Sequence, residues 1–215
     1  MEIIKFKKDE RDKWLEYRRG KISGTKLKNI LTFRGSSVKK GFWELVAERI
    51  ATPADQEDPM TRGLRLEETA IKLFIKETGK KVDNSLIIWV SDSDPNIILS
   101  PDGIIGKTEA LENKCLNSAS HIEAYITQKI PQDYEFQAIQ YFVVNEKLKT
   151  LYFSFYDPRV TCKPFFYLTI QRKDLVDDII KYKDEQVKVL SEVDRIVKEL
   201  TKGKKPQDIG IWHDA

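Results

Sequence analysis

The sequence predicts an α/β fold in which a central mixed β-sheet is flanked by helices and followed by a long C-terminal helix. Strand-like segments rich in aromatic and β-branched residues occur in the middle of the chain and again at residues 150–156 and 165–170. Apolar residues recur at helical spacing over residues 61–78 and 131–144, on either side of the central strands. Residues 173–202 form one long amphipathic pattern, which predicts the C-terminal helix.

The bulk properties indicate a soluble globular protein with one domain, residues 1–215, ending in a polar tail at residues 203–215. Of its 215 residues, 40% are hydrophobic and 33% are charged. A net charge of +3 with a pI near 8.6 permits a polyanionic partner without requiring one. Two cysteines, a start without a signal-like apolar core, and no apolar run of ~18 residues favour a cytoplasmic protein without a membrane partner.

The first two predicted helices bring a cation and two hydroxyls together. A helix over residues 9–19 ends at Gly20, and Ser23 or Thr25 caps a second helix. Arg18 and both hydroxyls then lie near a helix N-terminus, which is a favourable place for an anion. Two simpler interpretations remain open, namely plain capping by the hydroxyls and a solvent-exposed cation at Arg18.

Two more helices and four strands follow. A helix over residues 38–51 carries a core stripe, and the two prolines of residues 52–59 predict an exposed loop. The helix over residues 61–78 has Glu67 near its middle, where a glutamate followed by Lys72 is ordinarily a surface charge. Four strands are then predicted, at residues 85–90, 96–100, 103–106 and 110–116.

The strand over residues 110–116 carries an acid and a base on one face. Residues two apart on a strand point the same way, so Glu112 and Lys114 project together. The Asp-Gly pair that begins at Asp102 predicts a tight turn between apolar runs, which places Asp102 at a strand end, where an adjacent hairpin strand can bring it beside Glu112. Two carboxylates and an ammonium suit a hard divalent cation and an anionic substrate. A plain turn and a surface ion pair are the alternative, which the apolar flanks of the strand disfavour.

The helix over residues 131–144 is expected to present one face to this site. Ser118 or Ser120 caps a short helix before it. Four side chains share the face through their i, i+3, i+4 and i+7 spacing, namely Tyr134, Gln137, Ala138 and Tyr141. Gln137 either belongs to the site or only ties the helix to the sheet, and Gln140 is expected nearby.

Six short motifs occur in order along residues 10–160. They are Trp14-x-x-x-Arg18-x-Gly20-x-Ile22-Ser23-x-Thr25, Gly63-x-x-x-Glu67, Ser100-Pro101-Asp102-Gly103, Glu112-x-Lys114-Cys115, Tyr134-x-x-Gln137 and Tyr156-Asp157-Pro158-Arg159. In these motifs the chain resembles the PD-(D/E)XK nuclease superfamily and, within it, the YqaJ-type phage recombination nucleases similar to bacteriophage lambda exonuclease. The resemblance implies a restriction-endonuclease-like core. We expect Asp157 and Arg159 to shape a turn or a contact between subunits.

The resemblance also implies metal and catalytic roles. The groups that would hold the metal are Asp102, Glu112, Glu67 and the backbone carbonyl of Asn113. Such oxygen ligands suit two Mg²⁺ ions, for which Mn²⁺ can substitute. Lys114 would contact the scissile phosphate and orient or deprotonate the attacking water, and Gln137 matches the family's active-site glutamine.

DNA contacts are expected at six positions, Arg18, Thr25, Ser100, Ser23, Arg34 and Met60. In the family resemblance the first three match a pocket for the 5′-phosphate of the digested strand, and the fourth adjoins them. Met60 lies near the position of an apolar wedge, with simple packing as the alternative. The family has an arginine after the Glu-x-Lys strand that this chain lacks, and the candidates to replace its phosphate contact are Arg34, Arg62 and Lys129.

The function that the resemblance implies is a Mg²⁺-dependent 5′-to-3′ exonuclease that acts on the ends of linear double-stranded DNA. It would release 5′-mononucleotides and leave 3′ single strands for a single-strand annealing protein, as a ring-shaped homotrimer in the cytoplasm of a bacterial host. The chain departs from the family pattern after Cys115, where Leu116 replaces a proline. Two alternatives remain, a PD-(D/E)XK endonuclease of another type and a non-catalytic DNA-binding protein on the same fold.

Overall fold

The structure of the protein, a computed structural model, describes residues 59–85 and 87–200 together with Lys13, Trp43, Ala47 and Lys202. Lys13, Trp43 and Ala47 are helical, and they fall within two of the predicted helices. The remainder of the first three predicted helices, the loop over residues 52–58 and the tail over residues 203–215 lie outside the described residues. So do four of the predicted DNA contacts, Arg18, Ser23, Thr25 and Arg34.

The described chain alternates helices and short strands as the sequence predicts. In order, the elements are α1 (Pro59–Thr78), β1 (Trp89–Val90), β2 (Ile98–Leu99), β3 (Gly103–Ile105), β4 (Glu109–Lys114), α2 (Ser118–Thr127), α3 (Gln132–Val144), β5 (Thr150–Tyr156), β6 (Phe165–Gln171), a 3₁₀ helix (Arg172–Asp174) and α4 (Val176–Leu200). No described helix has both the length and the apolar character needed to cross a membrane. Cys162 is an exposed free thiol.

The main sheet has the strand order β3-β4-β5-β6 and is mixed, which confirms the predicted fold class. β4 pairs with β5 in parallel, from Glu109 opposite Thr150 to Lys114 opposite Phe155, and the other two pairings are antiparallel. A parallel pair needs a crossover connection, which α2 and α3 provide. β1 and β2 form a separate two-stranded antiparallel sheet.

Side-chain alternation along β5 gives the main sheet two apolar faces. Phe153 and Phe155 are fully buried on the face that α3 covers, and Tyr152 points to the opposite face, towards α1. On that second face the ring of Phe74, from α1, lies 5.2 Å from the ring of Tyr152. The result is a three-layer arrangement in which α1 and α3 enclose β4, and β4 is the strand that carries the predicted acid and base.

Three local predictions are wrong in detail. The side chain of Asn117, not Ser118 or Ser120, caps α2 by accepting a hydrogen bond from the backbone N–H of Ser120. The predicted continuous helix over residues 173–202 instead begins as the 3₁₀ helix and resumes as α4 after Leu175. Each strand of the small sheet is two residues long rather than five or six.

The C-terminal helix α4 packs mainly against α3 rather than directly over the sheet. The ring of Tyr182 meets that of Phe136 at 5.2 Å, and Gln186 donates a hydrogen bond to Gln140 at 2.9 Å. The side chain of Gln140 is therefore held by α4.

Candidate active site

Strand β4 places the predicted acid and base side by side. The Nζ atom of Lys114 lies 2.5 Å from the Oε1 atom of Glu112. Glu112 is only 1% exposed, and the two residues before it on the strand, Ala110 and Leu111, are fully buried and apolar. A carboxylate at such a position requires compensating partners, because burial of an unpaired charge is costly.

The hairpin of β3 and β4 brings Asp102 towards Glu112 as predicted, but the predicted tight turn at the Asp-Gly pair is absent. The Asp-Gly pair does not close a hairpin, because β2 and β3 belong to different sheets. It forms a bend that leads into β3, and β3 pairs with β4 so that Gly103 lies opposite Leu111. The backbone N–H of Asn113 then donates to Oδ2 of Asp102 at 2.7 Å.

A glycine is required at position 103 by close packing. A Cβ atom added there would lie 2.6 Å from Cγ1 of Val82 and 3.3 Å from Cβ of Leu111. Gly103 therefore allows β3 to approach both neighbours, and this approach brings Asp102 to the edge of β4.

Helix α3 turns its predicted face towards the carboxylate of Glu112. Gln137 donates from Nε2 to Oε1 of Glu112 at 2.7 Å, and the hydroxyl of Tyr141 donates to Oε2. The ammonium of Lys114 lies 5.0 Å from the centre of the Tyr134 ring, within range of a cation–π interaction. The two interpretations of Gln137 are therefore compatible, since it ties the helix to the sheet through a residue of the candidate site.

Glu67 approaches the same site from the opposite layer. It lies on α1, which packs against β4, and it is half-buried. Burial raises the pKa of Glu67, the charge of Asp102 raises it further, and Lys114 acts in the opposite direction. Glu67 therefore lies within electrostatic range of both Asp102 and Lys114.

Burial raises the pKa values of the other two carboxyl groups as well. The pKa of Glu112 rises to about 7, because of burial first and the nearby charge of Asp102 second, against the opposing effects of Lys114 and Tyr141. The pKa of Asp102 is raised by burial, which the N–H of Asn113 and the charge of Lys114 partly offset. Three carboxyl groups thus share the field of one ammonium, and the local charge is negative when all are ionised.

The donor set of the site suits a hard divalent cation. In the described part of the chain, no three acidic, cysteine or histidine side chains lie close enough together to hold a metal ion on their own. Mg²⁺, however, is usually bound by one or two carboxylates together with water and substrate phosphates. Three donors occupy the carboxylate of Glu112, which has about four acceptor positions, so acceptor capacity remains. The oxygen-only character and the negative charge of the site therefore fit such an ion.

The described DNA-contact candidates lie beside the carboxylates or at the start of α1. Ser100 is exposed two residues before Asp102, and its hydroxyl donates to the backbone carbonyl of Ile87 at 2.9 Å. Met60 is the second residue of α1, and its side chain lies outside the described part of the structure.

A buried ion pair fixes the segment that follows Lys114. Asp157 is fully buried at the end of β5, and its carboxylate accepts hydrogen bonds from Nε of Arg159 at 2.8 Å and from the hydroxyl of Ser118 at 2.6 Å. Arg159 also donates to the backbone carbonyl of Leu116 at 3.4 Å. Burial would raise the pKa of Asp157, but these hydrogen bonds outweigh it and hold the pKa below its usual value. Of the two expected roles, the structure shows the turn-shaping one.

Sequence reasoning assigned no function to Tyr141 or Ser118. The helical spacing placed Tyr141 on the correct face, but an aromatic residue there is also an ordinary core residue. Ser118 was considered only as a helix cap, and its contact with Asp157 spans 39 positions of sequence. No local pattern indicates a contact of that separation.

Comparison with known proteins agrees with this geometry. A profile of the YqaJ-like viral recombinase domain matches residues 13–147, more than half of the 215-residue chain. No curated protein matches the sequence significantly. In fold, the chain is similar to two crystal structures of LHK-Exo, an alkaline exonuclease from Laribacter hongkongensis, one of them in complex with dAMP. Each has 24% sequence identity and a TM-score of 0.58, over 89% of this chain and 98% of the other.

Proposed function

From the premise that this chain belongs to the YqaJ-like viral recombinase family, we propose that it is a Mg²⁺-dependent 5′-to-3′ exonuclease acting on linear double-stranded DNA. The observation that carries the proposal is the convergence of Asp102, Glu112 and Lys114 at one edge of β4, with Gln137 held against them. Carboxylates beside a lysine can support metal-assisted hydrolysis of a phosphodiester, and the negative charge of this site favours a divalent cation.

The residues that would hold the ion are Asp102 and Glu112, with Glu67 and the backbone carbonyl of Asn113 completing the set. When bound, Mg²⁺ or Mn²⁺, as one ion or two, would lower the pKa of a water molecule and stabilise the leaving oxygen. Lys114 contacts the scissile phosphate and orients the attacking water through its ammonium. Gln137 restrains the carboxylate of Glu112, and the ring of Tyr134 restrains the ammonium of Lys114.

The products proposed are 5′-mononucleotides and a 3′ single strand. The similarly folded LHK-Exo has been crystallised with dAMP, a deoxynucleoside monophosphate of the class that an exonuclease would release. A pocket of Arg18, Thr25 and Ser100, adjoined by Ser23, would bind the terminal 5′-phosphate. Arg34 would contact the backbone and Met60 the terminal base pair. A ring-shaped homotrimer would keep the enzyme on DNA, and a single-strand annealing protein would receive the product.

The test is digestion of a 5′-phosphorylated linear duplex with Mg²⁺, beside a 5′-hydroxyl duplex and a covalently closed circle. Glu112→Gln should abolish activity, because the amide replaces an anionic oxygen. Glu109→Gln is the matched control on the same strand. Glu109 lies at the opposite end of β4, where it pairs with Lys80 at 2.7 Å, so this variant should retain activity.

Four results separate the possible functions. Degradation of the phosphorylated linear duplex to mononucleotides and single strand, abolished by EDTA and by Glu112→Gln, supports the proposal. Equal degradation of 5′-hydroxyl ends would remove the 5′-phosphate pocket from it. Cleavage of the closed circle would indicate an endonuclease. Tight DNA binding without cleavage under Mg²⁺ or Mn²⁺ would indicate a non-catalytic DNA-binding protein.

A further inference from the structure

Tyr141 connects the two acidic residues of the candidate site. Its side chain is fully buried, and its ring meets that of Trp89 edge-on with the ring centres 5.9 Å apart. The hydroxyl donates to Oε2 of Glu112 and lies 3.4 Å from the backbone N–H of Asp102, from which it accepts. Among the described residues, Tyr141 therefore hydrogen-bonds to both acidic positions although it lies on a different element from either.

We infer that Tyr141 is a positioning residue that orients the carboxylate of Glu112 and fixes its place relative to Asp102. The inference rests on the proposed function, and it adds a residue that neither the motifs nor the family resemblance assigns to the site. Tyr141 touches no reacting atom and acts through Glu112 and Asp102.

The orientation follows from the donors around Glu112. Lys114 and Gln137 both approach Oε1, and Tyr141 alone of these three approaches Oε2. A carboxylate held at one oxygen can rotate about its terminal torsion, which has a broad energy profile. A donor at each oxygen removes that freedom.

The phenol is well suited to this task because it stays neutral. A phenolic hydroxyl is uncharged near neutral pH and can both donate and accept a hydrogen bond. Tyr141 uses both capacities here, donating to Glu112 and accepting from the backbone N–H of Asp102. A lysine in its place would supply a charge as well as a proton, which would oppose cation binding at the same carboxylate.

A purely structural role makes a different prediction. If Tyr141 only fills the core, Tyr141→Phe preserves the ring and its contact with Trp89, and only stability changes. If Tyr141 positions Glu112, the same substitution disturbs cation binding and turnover while the DNA-binding surface is unchanged. Removing an outer partner of a metal-binding carboxylate typically costs about 10- to 100-fold in metal affinity or activity.

The experiment compares Tyr141→Phe with the wild-type protein and with Tyr152→Phe. Tyr152 is a suitable control because its hydroxyl lies 3.5 Å from Glu109, at the far end of β4. Three quantities are measured in the full chain: Mn²⁺ affinity by electron paramagnetic resonance without DNA, kcat and KM on a linear duplex, and Tm. For Tyr141→Phe we expect Mn²⁺ affinity and kcat each to fall about 10- to 100-fold, with KM for DNA within about twofold. Tyr152→Phe should leave all three near wild type.

The inference is overturned if Tyr141→Phe binds Mn²⁺ and turns over like wild type, or if its only defect is a Tm below the assay temperature. A rise in KM at constant kcat would also overturn it, because that pattern indicates lost DNA binding. Failure of the proposed function looks different. A wild-type protein that binds Mn²⁺ but cleaves no DNA refutes nuclease activity, and the Mn²⁺ affinity of Tyr141→Phe then still decides the role of Tyr141. A wild-type protein that binds no Mn²⁺, either alone or in the presence of duplex DNA, refutes both.

Discussion

The buried pair of Asp157 and Arg159 gives the sharpest prediction about stability. We expect Asp157→Ala to lower the free energy of unfolding by about 3–5 kcal/mol, the range typical when one partner of a buried ion pair is removed. Asp157 is 0% exposed and the side chain of Arg159 is 11% exposed, so the guanidinium would be left nearly buried without its counter-ion. The hydroxyl of Ser118 and the backbone N–H of Arg159 would lose their acceptor too.

This loss is large for a natural domain. Total stabilities are about 5–15 kcal/mol, so the variant would retain a small part of the wild-type value at the lower end of that range. Because Arg159 and Ser118 also hold the segment directly after Lys114, loosening of that segment should lower activity as well.

Urea unfolding followed by circular dichroism measures the effect, with Glu146→Ala as the matched control. Glu146 pairs with Lys183 at a similar distance, 2.6 Å, but the two side chains are 52% and 34% exposed. An exposed pair contributes about 0.2–1 kcal/mol, so the control should change little. If Asp157→Ala cost no more than Glu146→Ala, burial would not determine the strength of this pair, and the reasoning would fail.

Three further predictions concern pH, packing and charge. Asp157→Asn should be less stable than wild type by a constant amount above pH ~4, and this difference should shrink as the pH falls further. The pKa of Asp157 is lowered in the folded protein, so its contribution to stability is present above its unfolded pKa of ~3.9 and is lost on protonation. A difference that is unchanged at pH 2.5 in acid denaturation profiles would contradict this. Phe74→Ala should cost about 3–5 kcal/mol in urea unfolding, because Phe74 is 0% exposed between α1 and the sheet, and a cost under about 1 kcal/mol would contradict its core position. Gln137→Lys should weaken Mn²⁺ binding, measured by electron paramagnetic resonance, more than Gln137→Leu does, because the added ammonium repels a cation at Glu112; equal effects would indicate that charge is unimportant there.

The main sheet could be predicted because its strands carry clear local patterns. β5 has the predicted bounds, and the bounds of β6 differ by one residue, since alternating aromatic and apolar residues specify both faces of each strand. The sequence overestimates the small sheet because apolar runs such as residues 96–100 resemble strands, whereas only two residues of each strand have a pairing partner. The break before α4 was missed because an amphipathic pattern continues through a 3₁₀ turn.

The candidate site shows the same division between local and distant information. The side-by-side placement of Glu112 and Lys114 follows from strand periodicity alone. The sequence correctly predicts that a hairpin strand brings Asp102 towards Glu112, because β3 and β4 are consecutive antiparallel strands. It wrongly predicts a tight turn at the Asp-Gly pair, because β2 and β3 belong to different sheets, which no local rule indicates. The contact between Tyr141 and Glu112 spans 29 positions and depends on how α3 lies across the sheet. Spacing along the helix gives the face, and only the tertiary structure gives the partner.

The composition of α3 explains how a buried acidic site can stay available to a cation. The helix supplies neutral donors to Glu112, from Gln137 and Tyr141, and contributes no positive charge at these contacts. Neutral donors satisfy the hydrogen-bonding capacity of a buried carboxylate, which would otherwise be costly, but they leave its negative charge in place. Only Lys114 offsets that charge among the described contacts of Glu112, while Asp102 adds to the negative field. Hydrogen bonds thus order the site without neutralising its net negative charge. A divalent cation would gain most by binding under this condition.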